Sequence, residues 1–170
     1  MSMTPDQAAF LRGFLFGSHQ FEIPATKRVI AAIPAGQENY QADPKAMSAI
    51  TLAHHIITTE IWFLKSVLAG SFGPEEIKMA EGTTIASLLE TFDSEVPALT
   101  EQVNAMSPED LAKPVSFFGM FEMPLVSYLS FMTNHTVHHR GQLAAILRPM
   151  GGKVPSIYGP SADDPGGAPA

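Results

Sequence analysis

Asn134-His135-Thr136-Val137-His138-His139-Arg140-Gly141-Gln142-Leu143 is the stretch on which the reading of this chain turns. It holds three of the six histidines within five residues. His135 and His139 are four apart, and on an α-helix that step turns the second side chain by only about 40° from the first. Both imidazoles can then reach one point, which is how a helix offers two nitrogen ligands to a divalent metal. His138 lies about 60° to the other side and is the poorer partner. Leu125, Leu129, Met132 and Thr133 lead into a helix, and Leu143, Ile146 and Leu147 lead out. Histidines one turn apart are common, so the pair gains weight only with a third ligand elsewhere.

That third ligand is sought upstream. Met47, Ile50, Ile57, Ile61, Leu64 and Leu68 form one helical stripe, and Leu52, Ile56 and Phe63 form a second. A helix apolar on so much of its circumference is central in its bundle. Asp43-Pro44, a cap followed by a first-turn proline, predicts its start, and it should run to about Leu68. His54 and His55 sit in its middle. An imidazole buried without a partner costs roughly 1–3 kcal/mol; a metal would satisfy one, and so would a hydrogen bond to a neighbour. Antiparallel packing could bring this helix onto the His135/His139 helix. Spacing does not choose between the two histidines. His54 shares the stripe of Ile50, Ile57, Ile61 and Leu64, while His55 lies about 100° round with Thr51, Thr58 and Trp62. On the second choice Trp62 could wall the site.

The remaining elements follow the same logic. Thr4-Pro5-Asp6-Gln7 reads as a capping box opening a first helix through Phe10, Leu11, Phe14, Leu15 and Phe21. Pro24 should kink or split it before it stops at Pro34-Ala35-Gly36. His19 and Glu22 on this helix could approach a site, but read first as surface residues, solvated or hydrogen-bonded. A polar link from Ser71 leads to a third helix capped by Thr83 or Thr84, with Ile85, Leu88, Leu89, Phe92, Val96, Leu99 and Val103 at a and d spacing. Pro97 should bend it. Ser107 caps a short turn, and Lys113 to Gly119 is predicted as an extended strap across the bundle. Pro124 restarts the helix that carries the histidines, and Pro149 with Gly151-Gly152 ends it. The proline-rich tail from about residue 152 should lie partly on the bundle and be mobile at its end. No internal repeat is visible.

Composition narrows the function. A chain of 170 residues is read as one domain, residues 1–170, with 45% hydrophobic residues to fill a core. A net charge of −7 argues against nucleic acid as a partner. With no cysteine there is no thiolate nucleophile and no cysteine-ligated zinc, and the chain suits a reducing cytoplasm. The first residues lack the basic start of a signal peptide, and no apolar run reaches the ~20 residues of a membrane span. Nine methionines and eleven phenylalanines are more apolar bulk than one bundle must bury, which predicts a homodimer.

Several motifs together resemble the DinB-like, damage-inducible family. They are Asn134-His135-x-x-His138-His139-Arg140-Gly141-Gln142-Leu143 with Leu147-Arg148-x-x-Gly151, and Leu52-Ala53-His54-His55-Ile56-x-x-x-Glu60-x-Trp62-x-Leu64. Ala32-Ile33-Pro34 precedes them, and Val154-Pro155-x-x-Tyr158-Gly159-Pro160-Ser161-Ala162-Asp163 follows. The resemblance covers roughly Phe21 to Asp163. It implies an all-α four-helix bundle with one long crossover connection; pattern alone leaves a plain antiparallel bundle open. It also implies a metal held by one histidine of the second helix and two of the fourth. By the five-residue step to Glu60 these are His55, His135 and His139, with His54 the spare. The remaining ring nitrogen of His55 should then donate to a carboxylate or carbonyl, and metal affinity should fall below about pH 6.5, the unperturbed histidine value.

An open three-histidine site is a Lewis acid, unlike a structural zinc site closed by four protein ligands. The resemblance implies a metal-dependent enzyme, a thiol S-transferase or hydrolase acting on a small electrophile, with a low-molecular-weight thiol as partner. Zinc or nickel is the expected metal, with iron as a further candidate. Arg148 and Lys153 are candidate anion contacts, and Glu60 and Arg140 are read as a structural pair or dimer contact. The competing reading is a non-enzymatic stress-response bundle with a structural or vestigial metal.

Overall fold

The computed structural model describes residues 2–74 and 77–166. Its first helix, α1 (Pro5–Ala31), starts on the expected capping box: the Thr4 hydroxyl accepts from the Gln7 amide while the Gln7 side chain accepts from the Thr4 amide. Pro24 does not split it. The proline is exposed, and the buried Ala25, Thr26, Val29 and Ile30 beyond it hold the continuation against the core.

The second helix, α2 (Ala49–Ala69), begins later than Asp43-Pro44 predicts. Ser48 is the cap, and Asp43 spends its carboxylate on the Lys45 amide within its own turn. Gly70 ends α2 with φ of +65°, a left-handed stop that glycine adopts without strain. Thr84 caps α3 (Ile85–Asn104), which continues through Pro97, and Ser107 caps the short α4 (Pro108–Ala112). The predicted strap is instead an antiparallel hairpin. In it β1 (Pro114–Phe117) pairs with β2 (Phe121–Pro124), with Val115 opposite Met123 and Phe117 opposite Phe121. Its turn uses positive φ at Phe118 and Gly119. A single 3-10 turn, Leu125–Ser127, leads into α5 (Tyr128–Leu147), the fourth long helix, which carries the histidine motif.

Side-chain pairs fix the helix directions. Along α2 and α5, Leu52 shares a cavity with Ile146 while Phe63 meets Phe131, so these two run antiparallel. Along α1 and α5, Leu11 lines a groove with Phe131 and Glu22 pairs with Arg140, so these run parallel. Along α2 and α3, Ile50 lies by Ile85 and Lys65 pairs with Glu95, so these too are parallel. Lys27 binds Asp93 while Arg12 reaches the Met106 carbonyl, which sets α1 against α3 antiparallel. The order around the bundle is α1, α5, α2, α3, and the directions are up, up, down, down. A parallel α2/α3 pair requires the link from 70 to 84 to return along the whole of α2. This is the long crossover, and it rules out simple antiparallel alternation.

The core between the helices is mainly aliphatic, with Val29, Ile30, Ile56, Ile57, Leu64 and Leu143 buried alongside Phe92. Beyond α5 the tail lies on the bundle through the part-buried Val154 and Ile157 and the buried Ser156. Asp163 ties it down, accepting from Arg148 Nε at 2.8 Å and from the Val154 amide at 2.9 Å. The expectation about the tail's end concerns 167–170 and lies outside the described residues. Among the described residues no helix is long and apolar enough to cross a membrane.

Candidate metal centre

Antiparallel packing of α2 on α5 sets the histidines of the two helices at one level. His55 Nε2 and His135 Nε2 stand 3.1 Å apart, although 80 residues separate them in sequence. His139 joins from one turn further along α5, its ring centre 4.6 Å from that of His55 and 4.4 Å from that of His135. One nitrogen from each residue can be chosen so that all three lie within 4.8 Å of one another. Ligands at 2.0–2.1 Å from a tetrahedral ion lie about 3.3 Å apart. The His55–His135 pair is already near that value, and the group could hold a metal ion.

Hydrogen bonds on the far side of two rings favour one tautomer. His139 Nδ1 lies 2.9 Å from Gln142 Oε1, an acceptor, so the proton sits on Nδ1 and the Nε2 lone pair is free. The same Gln142 amide donates to His138 Nε2 at 3.0 Å, which holds the exposed His138 away from the group. His55 Nδ1 lies 3.3 Å from the Thr59 hydroxyl, where a carboxylate or carbonyl was expected. His135 Nδ1 is buried with no hydrogen-bond partner, so the only polar outlet of that ring is Nε2, aimed at the other imidazoles.

The electrostatics favour the neutral form of two of the three rings, His135 and His55. Burial first, and then the neighbouring His139, His55 and His138, lower the pKa of His135 to about 4. Burial and the proximity of His139 and His54 lower that of His55. Neutral imidazole is the form that binds metal. At His55 and His135 proton competition is therefore displaced to lower pH than the 6.5 expected for free imidazole.

Other residues singled out in the sequence fall elsewhere. His54 is outside the group, half-buried, its carbonyl bonded by the Thr58 hydroxyl. Trp62 does not wall the histidines; it stacks on Phe118 and meets Phe72, and the ring that faces His135 is Phe63, 6.3 Å away between centres. His19 is buried, not a surface residue: its Nε2 meets Glu60 Oε1 at 2.9 Å, and Glu60 Oε2 accepts from Thr136 Oγ1 at 2.8 Å. Glu60 and Arg140 are both buried but do not pair with each other. Arg140 binds Glu22 at 2.6 Å and the Tyr158 hydroxyl at 2.6 Å, locking the tail to α1 and α5. Arg148 is taken by Asp163. Spacing alone did not flag Thr59 and Gln142, although each stands at i+4 or i+3 from a histidine.

An apolar cavity of about 490 Å³ opens beside His139, lined by Met47, Leu52, Ile146 and neighbouring alanines, with Lys45 and Gln142 as its polar members. Among the described residues, no fourth histidine or carboxylate joins the three imidazoles.

Fold and site together define a helical bundle with a three-histidine group that could hold a metal ion. The chain belongs to the DinB family, whose model matches residues 7–167. It is 26% identical over 129 residues to the uncharacterized protein YjoA of Bacillus subtilis, covering 74% of this chain and 82% of that one. A second Bacillus subtilis relative, the uncharacterized protein YrdA, is 41% identical over 54 residues; that match spans only 32% of either chain. Two crystal structures share the fold. A DinB-like protein from Bacillus cereus superposes with a TM-score of 0.71 at 24% identity, covering 85% of this chain and 95% of its own. The DinB-like YjoA structure superposes with a TM-score of 0.63 at 22% identity, covering 76% of this chain and 87% of its own.

Proposed function

We propose that His55, His135 and His139 bind one divalent transition metal through Nε2, and that the loaded protein is a thiol S-transferase or hydrolase acting on a small electrophile. The observation that carries this reading is the convergence of three imidazoles with, among the described residues, no fourth histidine or carboxylate beside them. An ion so held would supply Lewis acidity, able to lower the pKa of water or of a thiol. Zinc and nickel suit an all-imidazole site, and iron is the next candidate. The protein's own residues do the rest. Thr59 and Gln142 orient the rings, Phe63 excludes water from the flank of His135, and the cavity beside His139 takes the apolar body of a substrate. We place this chemistry in the cytoplasm, where low-molecular-weight thiols are kept reduced.

The test starts with protein purified without an affinity tag, analysed for metal and then reconstituted separately with zinc, nickel and ferrous iron. One ion per chain is expected. Thiol consumption is then followed with a panel of low-molecular-weight thiols and electrophiles, and hydrolysis with activated esters. Turnover that vanishes in His139→Ala supports the enzyme. Stoichiometric metal with no turnover on any pair favours the non-enzymatic bundle, and no metal uptake sinks both.

A further inference from the structure

The chain carries 17 carboxylate side chains against ten lysines and arginines. In such a surplus a cation seldom lacks a partner. Lys27, Lys65, Lys113, Arg140 and Arg148 each pair with a carboxylate. Arg12 and Arg28 donate to backbone carbonyls, Lys153 stands near Asp163, and Lys78 is also engaged. Lys45 is the exception: its ammonium has no partner among the described residues. Asp43 accepts the Lys45 backbone amide at 2.8 Å and leaves the side chain unpaired.

The Lys45 side chain lines the cavity of about 490 Å³ beside His139. Three elements enclose that space. From α5 comes the stretch between His139 and Ile146, about 10 Å of helix. Leu52 comes from α2, and the loop before α2 adds Lys45, Ala46 and Met47. Gln142 also lines it, but both ends of its amide are committed to His138 and His139. The remaining lining is apolar, so Lys45 is its one cation, and among the described residues no carboxylate joins it there.

We propose that this cavity selects a small amphiphilic carboxylate, with the head group on Lys45 Nζ and the apolar body between Met47, Leu52 and Ile146. The proposal rests on the reading of the cavity as the substrate's seat, and it names the class of electrophile. A chain of net −7 repels an anion overall, so entry requires a local attraction, which a cation free of internal partners supplies. One ammonium, without a guanidinium fork, matches a singly charged head better than a phosphate. A neutral molecule would leave that ammonium unanswered, and a cation would be repelled by it. The apolar lining suits the electrophile and not the thiol, since low-molecular-weight thiols are polar over most of their length.

Non-reactive probes of one chain length separate this proposal from the metal reading. Octanoate, octan-1-ol and octylamine are titrated calorimetrically into the full chain after chelation, and again after zinc loading. A pH of about 8 lies above the ordinary imidazole range and below that of lysine. The metal-free chain should bind octanoate about 5-fold more tightly than octan-1-ol, and octylamine least. Lys45→Met should erase the advantage of octanoate, Lys45→Arg should keep it, and Lys45→Glu should invert the order of octanoate and octylamine. Ala145→Leu, at an exposed position on the cavity wall, should weaken all three. Equal affinity for octanoate and octan-1-ol in the wild type, or an advantage that survives Lys45→Met, would overturn the proposal. So would octanoate affinity unmoved by Ala145→Leu, or octanoate that binds only once zinc is loaded or not at all. A chain that takes up no zinc but shows these probe affinities would sink the metal reading and leave the cavity assignment standing.

Discussion

His19 and His135 pack into the same bundle and end differently. His19 is buried on α1, and its Nε2 meets a carboxyl oxygen of Glu60 whose second oxygen is taken by Thr136. His135, one residue before Thr136 on α5, has one nitrogen buried without a partner and the other pointed at His55. The first imidazole is complete within the protein. The second faces only other imidazoles, an arrangement that satisfies neither ring fully unless something accepts both lone pairs. What separates the two histidines is the chemistry of what each nitrogen meets.

The largest break in that comparison comes from the three proposed ligands. His55→Ala, His135→Ala or His139→Ala should each lower metal affinity by orders of magnitude, while His54→Ala, His138→Ala and His19→Ala leave one ion per chain; metal titration by calorimetry decides. Loss of metal in His138→Ala to the same degree would show the geometry to be wrong. Next comes the structural arm. Glu60→Ala strands the His19 ring and the Thr136 hydroxyl and should cost about 3 kcal/mol in urea unfolding of the metal-free protein. In the same variant, metal stoichiometry should be unchanged.

A smaller effect sharpens the assignment of tautomers. Gln142→Ala frees the His139 ring and should weaken metal binding by about 10-fold, the lower end for loss of an orienting partner. The mildest effect is on pH. His135 titrates at about 4 in the folded protein against the ordinary 6.5, so between those values the unfolded chain binds more protons. Stability of the metal-free fold should be full above about pH 6.5 and should fall as the pH drops toward 4. Thermal melts of the wild type and of His135→Ala across that window should show a shallower acid slope in the variant.

Much of this was legible from residue order, for stated reasons. The His135/His139 step reports a helix face directly, and the caps at Thr4, Thr84 and Ser107 are local chemistry. Spacing did not separate His55 from His54; the packing of α2 on α5 brings His55, and not His54, beside His135 and His139. His19 was misread because a single imidazole on a helix says nothing about a carboxyl group 41 residues away. The start of α2 was misplaced because Asp43 and Ser48 are equally good caps, and only the loop's own hydrogen bonds assign Asp43 to a turn. The hairpin was missed because its turn uses a positive φ at Phe118, a position a sequence reader gives to glycine.

The long crossover has a kinetic consequence. In a simple up-and-down bundle, consecutive helices are antiparallel neighbours and can zip together as hairpins. Here α1 and α2 sit across the diagonal, α2 and α3 run the same way, and α3 reaches α5 only after α4 and the hairpin. No two successive long helices can close as a local unit, so each stabilising interface waits on a long loop to close. Folding rate falls as contacts become less local. This all-helical chain should therefore refold more slowly than a plain four-helix bundle of its length, and a fragment ending after α2 should fail to fold.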